Sequence, residues 1–167
     1  MRYTTRQRRD LLKILGFFLL VACSGFLGWH LSGKWKKRKD FYKQWYLFNE
    51  RFFSDLSYLR LPLTEFLKKY TYKSEFSEFV SAYEKSFQTK TLEIDLRFLS
   101  EEEQNAALEY FLALGKSDAA SQSVMLRSYQ ELLEQKKNET ATDYEKRSSL
   151  YVKLGVLFGL LIMVLFV

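Results

Sequence analysis

The sequence predicts an all-α protein, in which a small helical bundle is flanked by an N-terminal and a C-terminal transmembrane helix. Three observations predict this class. Apolar runs occupy residues 11–32 and 150–167, at the two ends of the chain. Between them, apolar residues recur with the three- and four-residue spacing of helices. The same stretch contains a single proline, Pro62, and several helix-capping signals.

The two apolar runs divide the chain into four segments. These are a basic tail over 1–10, transmembrane helix 1 over 11–32, a soluble α-helical domain over 33–149 and transmembrane helix 2 over 150–167. A helix needs about 20 apolar residues to cross a hydrocarbon core of roughly 30 Å. Lys13 and Lys153 lie near the starts of their runs, where a long side chain can carry its ammonium to the interface. A buried core helix is the alternative for the C-terminal run, although such a helix needs a large protein around it.

Basic residues cluster on both sides of the first apolar run and contribute to the net charge of +6. They are Arg2, Arg6, Arg8, Arg9, Lys34, Lys36, Lys37, Arg38 and Lys39. Basic flanks are typical of membrane spans and attract anionic headgroups, so they favour membrane lipids over nucleic acid as the partner. Because the loop side is the more basic, we expect a two-pass protein of the cell membrane with a cytoplasmic middle and both termini outside.

Two export signals compete with a membrane anchor at the N-terminus. Residues 20–23, LVAC, have the residue types of a lipoprotein cleavage site that would lipidate Cys23, and residues 8–13 approximate a twin-arginine signal. However, the apolar run continues past Cys23 to Trp29, whereas a signal h-region spans about 7–15 residues and is usually followed by polar ones. The alternative function is an exported lipoprotein with an extracytoplasmic helical binding domain.

The composition argues against catalysis. The single cysteine, Cys23, and the single histidine, His30, both lie in the first apolar run, so a metal cluster or a His-based triad would lack partners in the soluble part. Carboxylates at 101–103 point in different directions on a helix, which favours compensation of the helix dipole over metal binding or acid–base work. We therefore predict no enzyme activity, cofactor, metal or small-molecule substrate. A membrane enzyme would need a perturbed carboxylate or tyrosine that the sequence does not indicate.

A long helix is predicted to open the soluble domain, over residues 37–61. Its apolar face has spacings of 4, 3, 4, 4 and 3 and consists of Phe41, Trp45, Phe48, Phe52, Leu56 and Leu59. Charged residues, among them Asp55, lie elsewhere around the helix. Pro62 ends this helix and suits the first turn of the next, which runs through Leu63 and Phe66.

A third amphipathic helix and a connector follow. The helix covers residues 74–87, with Phe76, Phe79, Val80, Tyr83 and Phe87 on its apolar face. Residues 92–98 then alternate apolar and charged, a period typical of a strand. Because a lone strand without a partner is marginal, we interpret residues 88–99 as an extended connector that covers the core.

Helix signals return at Ser100, which forms a capping box with Glu103. The helix that follows is predicted to end at Gly115 as a left-handed cap; its apolar residues are Ala106, Leu108, Phe111 and Leu112. Either Ser117 or Asp118 caps the next helix, whose predicted core stripe is Met125, Tyr129, Leu132 and Leu133. No turn signal interrupts the polar stretch over 134–149, so one long helix can run into the C-terminal apolar run.

Two C-terminal motifs resemble those of a known family. Residues 114–118, LGKSD, with Gln122 four residues on, resemble the LG-x-SD…Q signature of the stage III sporulation protein AB family. Residues 151–161, YVKLGVLFGLL, are similar to the LGxLxGLL-type run that closes proteins of that family. The similarity covers roughly residues 11–167. The tail over 1–10, the lysine- and aromatic-rich stretch after the first span, and the 88–99 connector depart from the family pattern.

The resemblance implies a role in endospore formation. Proteins of this family belong to a multiprotein membrane complex in the mother cell, which links to the engulfed forespore and resembles a secretion apparatus. Their soluble domain is a helical bundle similar to the cytoplasmic domain of the type II secretion F protein. The resemblance thus implies a non-catalytic scaffold, or platform, whose partners are other membrane subunits and an ATPase or another cytoplasmic protein.

Small residues mark the candidate contact sites. Gly155 and Gly159 lie four residues apart on one helix face, as do Ser24 and Gly28 in the first span, and such faces allow another span to pack closely. Since glycine is common in spans, incidental positions that face lipid are the alternative. A helix joint, with partner docking as a second interpretation, is expected at Gly115, Ser117, Asp118 and Gln122.

Overall fold

The computed structural model describes residues 33–89 and 94–166, except for the side chains of residues 89, 159 and 162–166. In this part of the chain the helices are α1 (Gly33–Leu59), α2 (Leu63–Lys69), α3 (Ser74–Thr89), α4 (Glu101–Ala113) and α5 (Ala119–Phe166). These residues contain no strand, which confirms the all-α class. Helix α5 continues without a break through the polar stretch, as the lack of turn signals predicted.

The chain divides into two compact units, one of which is Trp35–Thr142. The other includes Asp143–Val167, which contains the end of α5. Transmembrane helix 1, predicted over 11–32, lies outside the described residues. Within residues 33–89 and 94–166, none of the helices has the length and the apolar character that crossing a bilayer requires.

Aromatic side chains from α1, α3 and α4 fill the core of the Trp35–Thr142 unit. The ring centroid of Phe111 lies 4.6 Å from that of Phe79 and 5.1 Å from that of Phe48. Phe41 contacts Phe76 edge to face at 5.2 Å. Such edge-to-face pairs add roughly 0.5–1.5 kcal/mol each beyond the burial of apolar area. The core is therefore a network of directional ring contacts as well as a hydrophobic cluster.

The predicted face of α1 is confirmed over most of its length. Phe41, Trp45, Phe48 and Phe52 are buried, and Leu56 is partly buried. Leu59 was wrongly assigned to the core: it is the last residue of α1, where the chain turns through Arg60, and its side chain is exposed. Asp55, which the pattern placed outside the apolar face, is also buried. Its carboxylate is compensated there, because it accepts hydrogen bonds from Lys69 Nζ at 2.8 and 3.0 Å.

Helix α3 and the connector follow the prediction with one exception. Phe76, Phe79, Val80 and Tyr83 are buried, whereas Phe87, in the last turn of the helix, is 47 % exposed. Among the described residues of the connector, Leu96, Phe98 and Leu99 cover the core as predicted. They do so through a turn, in which the Leu99 N–H donates to the Leu96 carbonyl at 2.8 Å.

The predicted core stripe of α5 is confirmed except at Leu132, and the buried faces of α4 and α5 also contain polar residues. The buried residues of α4 are Glu103, Ala107, Tyr110 and Phe111; of the other apolar residues named for this helix, Ala106 and Leu108 are partly buried and Leu112 is exposed. On α5 the buried residues include Gln122, Leu126 and Leu133, while Met125 and Tyr129 are partly buried and Leu132 is exposed. One residue turns a helix by about 100°, so Leu132 is exposed although the neighbouring Leu133 is buried.

Hydrogen bonds between helices accompany these buried polar residues. The Tyr110 hydroxyl donates to Asn49 Oδ1 at 2.8 Å, and Asn49 Nδ2 donates to the Leu126 carbonyl at 3.0 Å. The Tyr83 hydroxyl donates to the Phe111 carbonyl at 2.7 Å. Burial raises the pKa of Tyr83 to about 12, so its hydroxyl stays protonated as a donor. These bonds fix α1, α3, α4 and α5 relative to one another.

A largely buried ion pair joins the start of α1 to the capping box of α4. The Ser100 hydroxyl accepts from the Glu103 N–H at 3.3 Å and the Glu103 carboxylate accepts from the Ser100 N–H at 3.0 Å, so the predicted box is present. The same carboxylate accepts from Arg38 Nη2 at 2.7 Å and Nε at 3.0 Å. Glu103 therefore holds two elements together in addition to capping its own helix.

Candidate docking groove

An open groove of about 480 Å³ lies within the Trp35–Thr142 unit, where the turn between α1 and α2 meets the turn between α4 and α5. It is lined by Phe52, Leu56, Arg60, Leu61, Pro62, Leu63, Thr64, Phe87, Leu114, Gly115, Ser117, Ala119 and Gln122. Clefts that bind ligands have volumes of about 300–1,000 Å³. The groove includes most of the predicted joint residues, namely Gly115, Ser117 and Gln122.

The α1–α2 turn forms one wall of the groove. Arg60 has a φ of 51°, in the left-handed region that a helix end usually reserves for glycine. The Leu61 N–H then donates to the Asp55 carbonyl at 3.5 Å. Pro62 precedes α2, and its carbonyl accepts from the Glu65 and Phe66 amides at 3.1 and 3.0 Å. The turn thus holds the Arg60 side chain at the rim, where it is exposed.

The α4–α5 turn forms the opposite wall and depends on Gly115. Its φ is +72°, which agrees with the predicted left-handed cap, and α4 ends at Ala113 with Leu114 in an extended conformation. A Cβ atom at Gly115 would lie 3.3 Å from Leu63 Cδ2 on the facing wall. Glycine is therefore required at this position for both its backbone conformation and the close approach of the two turns.

Two polar side chains hold the α4–α5 turn in place. Asp118 caps α5, since its Oδ2 accepts from the amides of Ala120 at 3.1 Å and Ser121 at 3.2 Å. Hydrogen bonds from Ser121 and Ala120 lower the pKa of the Asp118 carboxyl. Gln122, which is buried, accepts the Gly115 N–H at 2.8 Å through Oε1. These bonds explain why the glycine, aspartate and glutamine of the motif occur at this spacing.

The predicted site residues fall into three groups. Gly115, Ser117 and Gln122 line the groove, while Asp118 caps the adjoining helix without lining it. Gly155 and Gly159 lie four residues apart on α5 and therefore on one face of that helix. Ser24 and Gly28 lie outside the described residues, as does Cys23 of the alternative function.

Most of the other lining residues carry no signal of a site in the sequence, and Arg60 and Phe87 are the most informative of them. Arg60 is the only charged side chain among the described residues that line the groove. Phe87 is 47 % exposed although it comes from the apolar face of α3. Lys116, next to Gly115, is exposed but does not line the groove. The groove consequently combines apolar walls with one positive charge, that of Arg60.

A second cavity, of about 210 Å³, lies between α1, α4 and α5 of the same unit. Tyr42, Trp45, Glu103, Leu133 and Lys136 are among its lining residues. Burial raises the pKa of the Glu103 carboxyl, but hydrogen bonds from Arg38 and Ser100 and the charge of Arg38 outweigh it and keep the pKa below its ordinary value. The described residues contain no cluster of three or more metal-ligating side chains.

Comparison with known proteins identifies one family. The family model for stage III sporulation protein AB matches residues 13–167, which include the groove, both turns and the whole of α5. Comparisons with curated proteins and with solved structures give no significant match.

Proposed function

The chain belongs to the stage III sporulation protein AB family, and on this basis we propose that it is a non-catalytic scaffold in a sporulation-associated membrane complex. That complex would connect the mother cell with the forespore and resemble a secretion apparatus. The observation that carries the proposal is the family match over residues 13–167, which covers both motifs and nearly the entire chain. The scaffold would hold other membrane subunits and an ATPase or another cytoplasmic protein.

The end of α5 supports a membrane location. Its apolar side chains between 150 and 161 are 46–60 % exposed: Leu150, Val152, Leu154, Val156, Leu157, Phe158, Leu160 and Leu161. Soluble proteins rarely leave so many neighbouring apolar side chains in water. The sequence continues this apolar run through residues 162–167. We therefore propose that residues 150–167 and 11–32 span the cell membrane and that the domain between them lies in the mother-cell cytoplasm.

Paired glycines offer a contact for other spans. Gly155 and Gly159 share one face of α5 and have no side chains to keep another helix away. Van der Waals contact between backbones is a main source of attraction between helices in lipid, where the hydrophobic effect no longer favours association. We propose that this face packs against another membrane subunit or against the first span.

Co-purification after glycine substitution tests the scaffold role. The variant Gly155→Leu/Gly159→Leu should still insert in the membrane but recover less of the other membrane subunits from sporulating cells. The matched control is Val152→Leu/Val156→Leu, which adds bulk at the same spacing on another face of the helix and should leave recovery unchanged. Equal recovery with both variants would refute packing through the glycine face.

A topology map tests the placement of the domain. A reporter inserted near residue 90 should report the cytoplasm, and one fused after Val167 should report the outside. An external signal at residue 90 would refute the proposed scaffold, because its cytoplasmic partners could not reach the domain.

A further inference from the structure

We propose that the groove binds a short amphipathic segment of a protein partner, whose apolar side chains enter between the two turns and whose carboxylate pairs with Arg60. This inference rests on the proposed scaffold function, because it specifies the chemistry of a partner that the scaffold would hold. It is carried by the apolar lining, by the single charge on the rim and by the fixed shape of the groove.

The lining supplies an apolar site of the size that a few side chains fill. Phe52 and Leu114 are buried at its base, and Leu56 and Leu63 are partly buried. Phe87 leaves 47 % of its surface exposed at this site, while its ring contacts that of Tyr83 at 4.9 Å. An aromatic ring supported on one side and exposed on the other is a typical anchor of a protein interface.

The charge on the rim specifies the polar group of the partner. Arg60 forms no ion pair with any described residue and is exposed. The nearest acidic residue of the α4–α5 turn, Asp118, does not line the groove, and its carboxylate already accepts two amides of α5. A guanidinium binds a carboxylate through two parallel hydrogen bonds, so a Glu or Asp of the partner is the complementary group.

Contacts within the chain hold both walls of the groove. Gln122 holds Gly115 in its left-handed conformation, and Pro62 fixes the start of α2 on the facing wall. A preformed site spends less binding free energy on ordering its own residues. A short segment can therefore bind here without a large interface.

Selection from a peptide library tests this inference on the intact chain. The full-length protein in lipid nanodiscs is panned against random dodecapeptides displayed on phage, with counter-selection on the Phe87→Ser variant. Enriched peptides should contain at least two large apolar residues and a carboxylate. Their affinities are then measured by fluorescence anisotropy with labelled synthetic peptides.

Substituting Arg60 in the protein and the glutamate in the selected peptide tests whether these two residues form an ion pair. Arg60→Gln should weaken the selected peptide about tenfold, and replacing the peptide's Glu with Gln should do the same, with no further loss when the two are combined. Arg60→Lys should bind with intermediate affinity, because it keeps the charge but not the paired geometry. Arg127→Gln, an equal change at an exposed site on α5 outside the lining, is the control and should change affinity less than twofold.

Several outcomes would overturn the inference. These are the absence of enriched peptides, enrichment of peptides without carboxylates, or equal loss of affinity in Arg60→Gln and the Arg127→Gln control. Self-association of the full chain that disappears in Phe87→Ser would show that the groove binds a second copy instead. Near-UV circular dichroism verifies that each variant is folded.

Different results would contradict the peptide-binding groove and the scaffold function. If the wild-type chain recovers membrane subunits from cells but selects no acidic peptide, only the groove assignment is wrong. If it binds peptides through Arg60 but recovers no membrane subunits, the scaffold function is wrong.

Discussion

Replacing Arg38 with methionine should destabilise the Trp35–Thr142 unit by about 3 kcal/mol at pH 7. The Arg38 and Glu103 side chains are only 13 % and 11 % exposed, and their closest N–O distance is 2.7 Å. Removing one partner of such a pair costs about 3–5 kcal/mol, because the other charge stays buried without compensation. We expect the lower end of this range, since Glu103 would still accept the Ser100 N–H at 3.0 Å.

The stability lost in the Arg38→Met variant should depend on pH, in a direction set by the pKa of Glu103. The wild-type carboxyl has a pKa below its ordinary value of 4.5, so the ion pair contributes fully above that pH and is lost as pH falls through the pKa of the folded state. In the Arg38→Met variant, burial raises the pKa of Glu103 without an opposing cation. The carboxyl then takes up a proton at mildly acidic pH, and the difference in stability between wild type and variant should narrow from pH 7 to pH 4.5.

Urea-induced unfolding of the intact chain in detergent micelles, followed by near-UV circular dichroism, measures this loss. Lys136→Met is the control, because the Lys136–Glu139 pair is 33 % and 41 % exposed and should contribute at most about 0.5 kcal/mol. Arg38→Met/Glu103→Gln should recover much of the loss, since no buried charge then remains unpaired. A loss below about 1 kcal/mol, or one that is the same at both pH values, would refute the assignment of Arg38–Glu103 as a buried pair that stabilises the fold.

Three further substitutions test local features of the same unit by the same unfolding measurement. Arg60→Gly should stabilise it by about 1 kcal/mol, because a left-handed φ of 51° is strained for arginine and relaxed for glycine; a loss of stability would contradict this. Gly115→Ala should destabilise it by roughly 1–2 kcal/mol through its φ of +72° and the contact of Cβ with the facing turn, whereas the control Gly33→Ala, with no atom within 4 Å, should not. Asn49→Ala should cost about 2–4 kcal/mol because it leaves the buried Tyr110 hydroxyl and the Leu126 carbonyl without their partner. Asn49→Ala/Tyr110→Phe should regain part of this loss, and a cost below 1 kcal/mol for Asn49→Ala would show that the network is dispensable.

Local signals predicted the elements of the fold well. The Ser100–Glu103 box and the left-handed Gly115 depend on residues within a few positions of each other, so their meaning does not change with tertiary context. The face of α1 was equally clear because large aromatic residues repeat along it. Each of these features is determined by the geometry of one helix and its ends.

Tertiary contacts account for the errors. Asn49, Asp55, Glu103 and Gln122 are polar and were assigned to no core face, yet each is buried because a partner elsewhere in the chain satisfies it. Buried polar groups are almost always paired, but the sequence does not reveal the pairing. A period that counts only apolar residues therefore misses the polar members of a buried face, such as Glu103 on α4 and Gln122 on α5.

The candidate groove was predictable only on the side that carries a motif. Gly115, Ser117 and Gln122 belong to one short segment whose spacing resembles a family signature. Arg60 and Phe87 come from separate elements, and only the packing of α1, α2 and α3 brings them to the same groove. No pattern within either segment distinguishes them from an ordinary exposed arginine and an ordinary core aromatic.

Some residues of the groove stabilise the fold and others are available to bind a peptide. Measuring stability and peptide affinity on the same variants separates these two roles. Gly115 and Gln122 hold the α4–α5 turn through backbone geometry and a buried hydrogen bond, so substituting either should reduce stability and peptide binding together. Arg60 is exposed and strained, so Arg60→Gly should raise stability while it lowers peptide affinity. Opposite changes in the two quantities cannot arise from general loosening of the fold. They would identify Arg60 as a residue whose strained conformation serves binding, whereas a parallel rise or fall of both would assign it to structure alone.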